Sequence, residues 1–335
     1  MNIRNIALPV ILLILVASLP FWLIQSFFML DVATLTLIFM CAAIAWNLIS
    51  GFGGQLSFGH SVFFGVGAYT TALLFIRAGI TPWIGLLAGG LVAVVFAVIL
   101  GYPSFRLRGI YFTLVTFTTT LIFEILARHF SGFTGGDVGL SVPLQQGSVA
   151  SFQFRNDLWY YYIALALVAL YFVISRVLYH SRLGFFLRAI RDDQDAAQAS
   201  GVNVLRAKMV AFMLSAFLTA IAGAVYLQVV LFIDPATAFG LEIAVLIALP
   251  AIAGGLGTIW GPIIGAAVLI PLQLSLSATL SGFPPGLSLI LYAVVILVIM
   301  LLDPQGMHSL GERAISKISS LWKKRRARDT GEMKT

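Results

Sequence analysis

Apolar runs as long as a membrane-crossing helix follow one another along almost the whole chain. A helix needs about 20 mostly apolar residues to cross a bilayer. The runs predict an all-α membrane protein, a polytopic bundle of about ten transmembrane helices, at 6–24, 33–50, 58–77, 82–101, 109–127, 158–178, 208–232, 242–256, 262–280 and 286–302. Pro250 interrupts the eighth run and predicts a kink or a break in that helix.

Composition supports the same class of protein. Only 10% of the 335 residues are charged, whereas soluble domains carry about 25%, and the mean hydropathy is +1.01. A soluble globular fold is therefore not expected. Cys41 is the single cysteine, so no disulfide framework is available. His60 has no second ligand at a suitable spacing, and no metal site is expected.

The basic residues predict which loops face the cytoplasm. With ten alternating spans and both termini cytoplasmic, 17 of the 20 Lys and Arg residues lie inside. Basic residues collect on the cytoplasmic side of membrane proteins, so this topology is favoured over its inverse. The basic tail indicates contact with anionic lipid rather than nucleic acid. The predicted parts are a transmembrane domain (1–310), an external loop (128–157), a cytoplasmic loop (179–207) and a basic cytoplasmic tail (311–335).

The cytoplasmic loop contains a signal for a short helix with small side chains. Aspartates that include Asp195 can cap its start, and Ala196 and Ala197 favour the helical conformation. Gly201 can close the helix in the left-handed conformation. A helix with a small-residue face fits closely into a groove of another protein, as a membrane subunit that receives mechanical work from a separate ATPase requires. From spacing alone, a solvated connector helix is the equal alternative.

A glycine-rich segment, Gly51 to Gly67, follows the second predicted span. Glycine costs a helix about 1 kcal/mol per residue relative to alanine. Irregular backbone at membrane depth is tolerated only where protein covers it or water lines it. Gly65 and Gly67 favour close helix packing. The residues expected to line a solute pathway are Asn47, Gly53, Gly54, Gln55 and Ser57.

Other polar and small residues give weaker signals. Gly257, Gly261 and Gly265 recur every four residues, which predicts one helix face that packs against another span or a partner subunit. Glu124 and Arg128 lie one helical turn apart and predict an ion pair. The histidines are scattered, and no phosphate-binding Gly-x-x-x-x-Gly-Lys-Ser/Thr loop occurs. No catalytic residue and no ATPase site are therefore expected in this chain.

Several motifs resemble one family of membrane proteins. Asp195-Ala196-Ala197-x-x-x-Gly201 resembles the Glu-Ala-Ala-x-x-x-Gly coupling motif of ABC-importer permeases, with Asp in place of Glu. Two further segments resemble the LivM-type permeases of branched-chain amino acid importers. One is Leu187-Arg188-Ala189-Ile190-Arg191, before the coupling motif, and the other is Asn47-Leu48-x-x-Gly51-x-x-Gly54-Gln55-x-Ser57-x-Gly59-His60. Further matches in the same order extend the resemblance over about residues 33–306. They are Gly109-Ile110-Tyr111-Phe112, Thr134-Gly135-Gly136, Gly254-Gly255-Leu256-Gly257-Thr258 and Pro304-x-Gly306.

This resemblance implies the permease subunit of an ABC importer in the bacterial inner membrane. It implies a second, LivH-type permease, two cytoplasmic ABC ATPase subunits and a periplasmic solute-binding protein as partners. ATP would be hydrolysed by the partners, and no cofactor is expected in this chain. Leucine, isoleucine and valine are the implied solutes, with urea or short amides open because urea permeases belong to the same broad family.

Two other functional classes remain as alternatives at this point. An ion-coupled secondary transporter needs titratable or ion-coordinating residues near the centre of the bilayer. A membrane-embedded enzyme needs clustered acids, histidines or serines near the interface.

For an ATP-driven permease, we expect an Ala197→Arg variant to reach the membrane but to lose transport.

Overall fold

The computed structural model describes residues 13, 15–20, 27–145, 147–284, 286–302, 306 and 307. Residues 15–20 are helical, but most of the first predicted span, 6–24, lies outside the described residues. The basic tail predicted at 311–335 lies wholly outside them.

Among the described residues, eight segments are helical, apolar and long enough to cross a bilayer. They are α1 (Phe27–Ile49), α2 (His60–Ala78), α3 (Pro82–Ser104), α4 (Ile110–His129), α6 (Leu158–His180), α9 (Val204–Val230), the pair α10 (Pro235–Phe239) and α11 (Leu241–Gly255), and α12 (Gly261–Thr279). Three shorter helices are α5 (Ser131–Thr134), α7 (Arg182–Asp192) and α8 (Gln194–Ala199). The last helix, α13 (Leu287–Leu302), is apolar but has only 16 residues. The described residues thus provide eight full-length segments and one shorter apolar helix, and the exact count of ten spans stays a prediction.

Two boundaries differ from the sequence prediction. Helix α1 includes residues 27–32, which precede the start near 33 that the sequence predicts. Helix α11 continues through Pro250, so the predicted break is not at the proline. The interruption lies instead at Gly240, whose extended backbone separates α10 from α11.

Helix α1 lies at the centre of the bundle. It is apolar on all sides, which is typical of a helix surrounded by protein, and it is buried from Thr36 to Ile49. It packs against α6, α9, α11 and α12. Helices α2, α3 and α9 form a second group in which each contacts the other two. Helix α4 buries mainly one stripe, Phe112, Thr116 and Thr120, at helical spacing.

The loops gather at two ends of the bundle, as alternating spans require. At one end, Arg77 donates to the Gly132 carbonyl at 2.6 Å, and strands β1 (Leu140–Ser141) and β2 (Phe232–Ile233) pair antiparallel. At the other end, Arg108 and Asp195 form an ion pair at 3.0 Å. The charge pattern of the sequence predicts that the second end faces the cytoplasm. Following that prediction, we call it the cytoplasmic end and the first the outer end.

The predicted ion pair of Glu124 and Arg128 is confirmed. The Arg128 Nη2 atom lies 2.8 Å from the Glu124 Oε1 atom. Arg128 also contacts Asp137 at 3.1 Å in the external loop. This pairing neutralises the acid of α4 near the outer end and accounts for Glu124 without a transport role.

Glycines allow α2 and α9 to cross with their backbones in contact. A Cβ atom added at Gly67 would lie 2.0 Å from the Ala220 carbonyl oxygen, and one at Gly223 would lie 2.1 Å from that of Phe64. Gly65 makes room for the ring of Phe239 in the same way. Small residues at such crossings let the backbones approach closely. Close packing of this kind holds helices together inside a lipid bilayer, where hydrophobic burial does not.

A Gly67→Val substitution is therefore expected to separate α2 from α9. Overpacking of this kind costs about 1–3 kcal/mol, so the thermal midpoint of the detergent-purified protein should fall. Gly132→Val is the matched control, because nothing lies within 4 Å of a Cβ at that position. Equal midpoints for the two variants would contradict the packing role of Gly67.

Candidate functional site

The cytoplasmic loop folds into two helices joined at one residue. Helix α7 begins after Ser181, whose hydroxyl accepts the Gly184 amide at 3.2 Å. Asp193 follows α7 and caps α8, because its Oδ1 accepts the amides of Asp195 at 2.9 Å and Ala196 at 3.0 Å. Gly201 takes φ +86° just past the end of α8. The short capped helix predicted from the sequence is present.

The residues of the predicted coupling motif face different surroundings. Ala196 is exposed, and Asp195 reaches across to Arg108. Ala197 is only 5% exposed and packs with Ile190 and Ala207 in a small apolar cluster. Because α8 has fewer than two turns, one residue per turn must face the body of the protein. Ala197 therefore faces the interior, which differs from its predicted place on a partner-facing surface.

A buried lysine fixes the start of α8, and sequence reasoning missed it. Lys208 is 1% exposed, and its Nζ donates to the Gln194 Oε1 atom at 2.7 Å. The ammonium group also lies 6.0 Å from the centre of the Phe105 ring. In the predicted topology, Lys208 is one of the 17 basic residues on the cytoplasmic side. Its place one turn inside an apolar helix was the available signal.

Residues 50–59 form an irregular connection between α1 and α2, which we call the glycine turn. Asn47, at the end of α1, is 0% exposed. Its Nδ2 donates to the Thr258 carbonyl at 2.8 Å, and its Oδ1 accepts the Gly257 amide at 3.0 Å. Asn47 thereby joins the end of α1 to the turn between α11 and α12.

The other residues predicted to line a pathway are divided between interior and surface. Gly53 and Ser57 are buried, whereas Gly54 is exposed and Gln55 is half-buried. The Gln55 side chain donates to the Gly53 carbonyl at 3.4 Å. Only Gly54 and Gln55 of the predicted set thus reach the surface, and they do so at the cytoplasmic end.

A directional chain of hydrogen bonds holds the glycine turn against α9. The Ser215 hydroxyl donates to the Ala45 carbonyl at 2.6 Å. It has a single proton, so it accepts from the His60 Nε2 atom, 2.7 Å away. The Nδ1 atom of the neutral ring then accepts from the Ser57 hydroxyl at 3.2 Å. Ser57 in turn accepts the Gly59 amide at 3.3 Å.

This chain, which we call the His60 relay, leaves every member with a partner. It connects α1, α2 and α9 through buried groups, and the Trp46 indole adds a bond of 2.6 Å to the Ser57 carbonyl. A buried polar network of this kind stabilises one arrangement of the helices when all its members are satisfied. The structure gives Ser57 and His60 this bonding role.

The glycines predicted to share one helix face are divided between a turn and a helix. Gly257 has φ +76° and lies before the helix, so its predicted place on a helix face is corrected. Gly261 and Gly265 belong to α12, and a Cβ at Gly265 would lie 1.8 Å from the Pro250 carbonyl oxygen. Backbone contact between α11 and α12 therefore depends on α12 having no side chain there.

Arg191, at the end of α7, reaches the same place from the cytoplasmic loop. Its Nη1 atom lies 3.4 Å from the Gly51 carbonyl oxygen. A Cβ at Gly54 would lie 2.7 Å from the Arg191 Cγ atom, and one at Gly257 would lie 2.6 Å from its Nη1 atom. The cytoplasmic helices, the glycine turn and the α11–α12 turn therefore meet at this arginine. Sequence reasoning missed its contacts because they join residues far apart in the chain.

Comparison with known proteins identifies the family. The family described as branched-chain amino acid transport system, permease component, matches residues 28–300. The chain belongs to this family. Together with the eight helices of membrane-crossing length, membership makes the permease a multi-pass protein of the bacterial inner membrane.

Relatives of the permease match over most of its length. It is 30% identical over 321 residues to the high-affinity branched-chain amino acid transport system permease protein LivM of Escherichia coli K12, covering 89% of this chain and 73% of the relative. It is 25% identical over 308 residues to LivH of the same organism, covering 87% and 96%. A shorter match of 131 residues, 33% identical, joins 38% of the permease to 40% of the E. coli ribose import permease protein RbsC. No solved structure gives a significant match to the chain.

A Ser215→Ala substitution in the permease tests the His60 relay. It removes the acceptor of the His60 Nε2 proton, and an unsatisfied buried group costs about 1–3 kcal/mol. The thermal midpoint in detergent is therefore expected to fall. Thr118→Ala is the control, because that hydroxyl bonds on an exposed face of α4, and surface changes usually stay within about 0.5 kcal/mol. A Ser215→Ala midpoint no lower than the control would show that the relay does not stabilise the bundle.

Proposed function

We propose that this chain is a transmembrane permease subunit of an ABC importer for leucine, isoleucine and valine. The observation that carries the proposal is α8, a capped helix with exposed small side chains at the end where basic residues collect. Family membership supports the transport role. The LivM and LivH relatives, both named for branched-chain amino acids, favour these solutes over urea.

Helix α8 is held in a way that suits the transfer of force. Asp193 caps it, Lys208 binds its first residue, Gln194, and Ala197 packs against Ile190. Because these contacts lie at its start and on its inner face, its outer face stays open to a partner. Ala196, Gln198 and Ala199 are exposed there. We propose that this face docks into an ATPase subunit, with Asp195, Ala196 and Gly201 shaping the contact.

The partners follow from the same proposal. Two cytoplasmic ATPase subunits would bind and hydrolyse ATP, so this chain needs no cofactor of its own. The likeness to LivH supports pairing with a second permease of related sequence. A periplasmic solute-binding protein would deliver the amino acid at the outer end. Nucleic acid has no part in this assembly, and the basic tail is proposed to contact lipid.

We propose that the solute leaves the membrane beside the glycine turn. There Gly54 and Gln55 present backbone and amide groups at the cytoplasmic end. Asn47, Gly53 and Ser57 support this surface from behind through the contacts described above. A proton-coupled transporter is less favoured, because His60 is enclosed by two serine hydroxyls and Glu124 is paired with Arg128.

Ala196→Arg is expected to abolish energised uptake while the protein still reaches the membrane. A bulky charge in a close-fitting interface costs at least about 2 kcal/mol, which is roughly 30-fold in affinity. The measurement is uptake of labelled leucine by cells that express the chain and its partners, with co-purification of the ATPase subunits. Ala196→Ser is the control, because it keeps a small side chain at the same place.

A substitution at exposed Ala196 tests docking more specifically than a substitution at buried Ala197. An arginine at buried Ala197 would disturb the cluster with Ile190 and Ala207, so lost uptake would not report docking alone. Full uptake and full ATPase recovery in Ala196→Arg would refute docking through α8. Uptake that persists without the ATPases but collapses with the ion gradient would instead establish the secondary-transporter alternative.

A further inference from the structure

The two cytoplasmic helices are built to move together. Asp193 both ends α7 and caps α8. Ile190 of α7 and Ala197 of α8 belong to one apolar cluster. The last turn of α7, where Arg191 lies, is therefore in direct contact with α8.

Helix α7 touches the glycine turn with two residues one helical turn apart. Leu187 is buried, and its Cδ2 atom lies 3.3 Å from where a Cβ at Gly53 would stand. The aliphatic part of Arg191 covers Gly54 in the same way, at 2.7 Å from its Cβ position. This face of α7 thus lies directly on the backbone of the connection between α1 and α2.

The guanidinium of Arg191 is oriented by its neighbour. The Asp192 Oδ1 atom accepts from both Nε and Nη2 of Arg191 at 3.2 Å. This leaves Nη1 directed at the Gly51 carbonyl oxygen, 3.4 Å away, and against Gly257. One side chain, itself 36% exposed, therefore contacts two turns that belong to different pairs of spans.

These two turns are also joined to each other. Asn47 bonds to the Gly257 amide and the Thr258 carbonyl, and a Cβ at Gly51 would lie 2.7 Å from the Gly257 nitrogen. Gly306, after the last helix, closes on the Gly255 backbone, with its Cβ position 2.7 Å from the Gly255 nitrogen. The end of α1 and the α11–α12 turn are thus connected by the Asn47 side chain and by close backbone contacts.

We infer that Arg191 is a positioning residue that transmits movement of α7 and α8 to the glycine turn and the α11–α12 turn together. The inference rests on the proposed function, because it takes α8 as the helix that an ATPase moves. Energetic coupling is measured by how much solute is taken up for each ATP hydrolysed, so the test measures how strongly ATP hydrolysis and uptake are coupled.

The experiment compares R191Q with R182Q in the complete importer, reconstituted in lipid nanodiscs and in proteoliposomes. Arg182 is an exposed residue of the same helix, and the substitution removes the same charge. For R191Q, ATPase activity is expected to stay within about twofold of wild type, while leucine uptake per ATP falls roughly tenfold, within the range for loss of a coupling contact. R182Q is expected to change neither quantity.

A second measurement follows the movement itself. In a Cys41→Ala background, spin-label pairs join the outer-end residue Ala150 to Leu56 in the glycine turn, or to Ser200 beside α8. ATP binding is expected to change both distances in the wild type. In R191Q only the Ser200 pair is expected to respond.

Three results for R191Q would overturn the inference. An unchanged uptake per ATP in R191Q overturns it, as does a Leu56 response that persists in R191Q. Failure of R191Q to accumulate or assemble also overturns it, because a positioning residue is not needed for folding. Two other results would contradict the proposed function rather than this inference. They are a wild-type importer without ATP-dependent uptake and full uptake by the Ala196→Arg variant.

Discussion

Backbone contact through glycine is the constraint on which the rest of this bundle depends. Lipid tails are as apolar as leucine, so helices in a membrane associate through close packing and hydrogen bonds rather than through hydrophobic burial. The crossing of α2 and α9 at Gly67 and the crossing of α11 and α12 at Gly265 both follow this rule. Because these backbones touch, neither crossing has space for a side chain larger than hydrogen at these positions.

Buried polar groups add directional hydrogen bonds to this close packing of helices. The His60 relay runs from the Gly59 amide through Ser57 and His60 to Ser215 and ends at the Ala45 carbonyl. Every donor in it has one acceptor, and a sliding movement of α9 would break both bonds of Ser215, to His60 and to the Ala45 carbonyl. The relay lies directly behind the glycine turn, which gives that turn a rigid support on its inner side. On its other side the turn contacts the cytoplasmic helices through Leu187 and Arg191.

The sequence predicted the parts of this arrangement that depend on neighbours in the chain. Apolar runs located the helices, and aspartates, alanines and Gly201 located α8, because both signals are local. Contacts between distant residues were out of reach, which is why the meeting of Arg191 with Gly51 and Gly257 was missed. Spacing also placed Gly257 on a helix that begins only at Gly261, since a four-residue repeat does not reveal where a turn ends. The inward face of Ala197 was missed for a similar reason, because the motif does not show which side of α8 packs on Ile190.

Differences in burial decide which contacts of the cytoplasmic loop transmit force. Arg108 and Asp195 are both largely exposed, and such pairs contribute about 0–1 kcal/mol, so their ion pair yields easily under load. Leaving the buried bonds of Asn47 unmade costs about 1–3 kcal/mol for each group. Lys208 binds Gln194 from an equally buried position. A push on α8 therefore breaks the surface pair first and leaves the buried bonds intact. The displacement passes through α7 and Arg191 into the glycine turn and the α11–α12 turn. The ends of the spans that these turns connect then move with them.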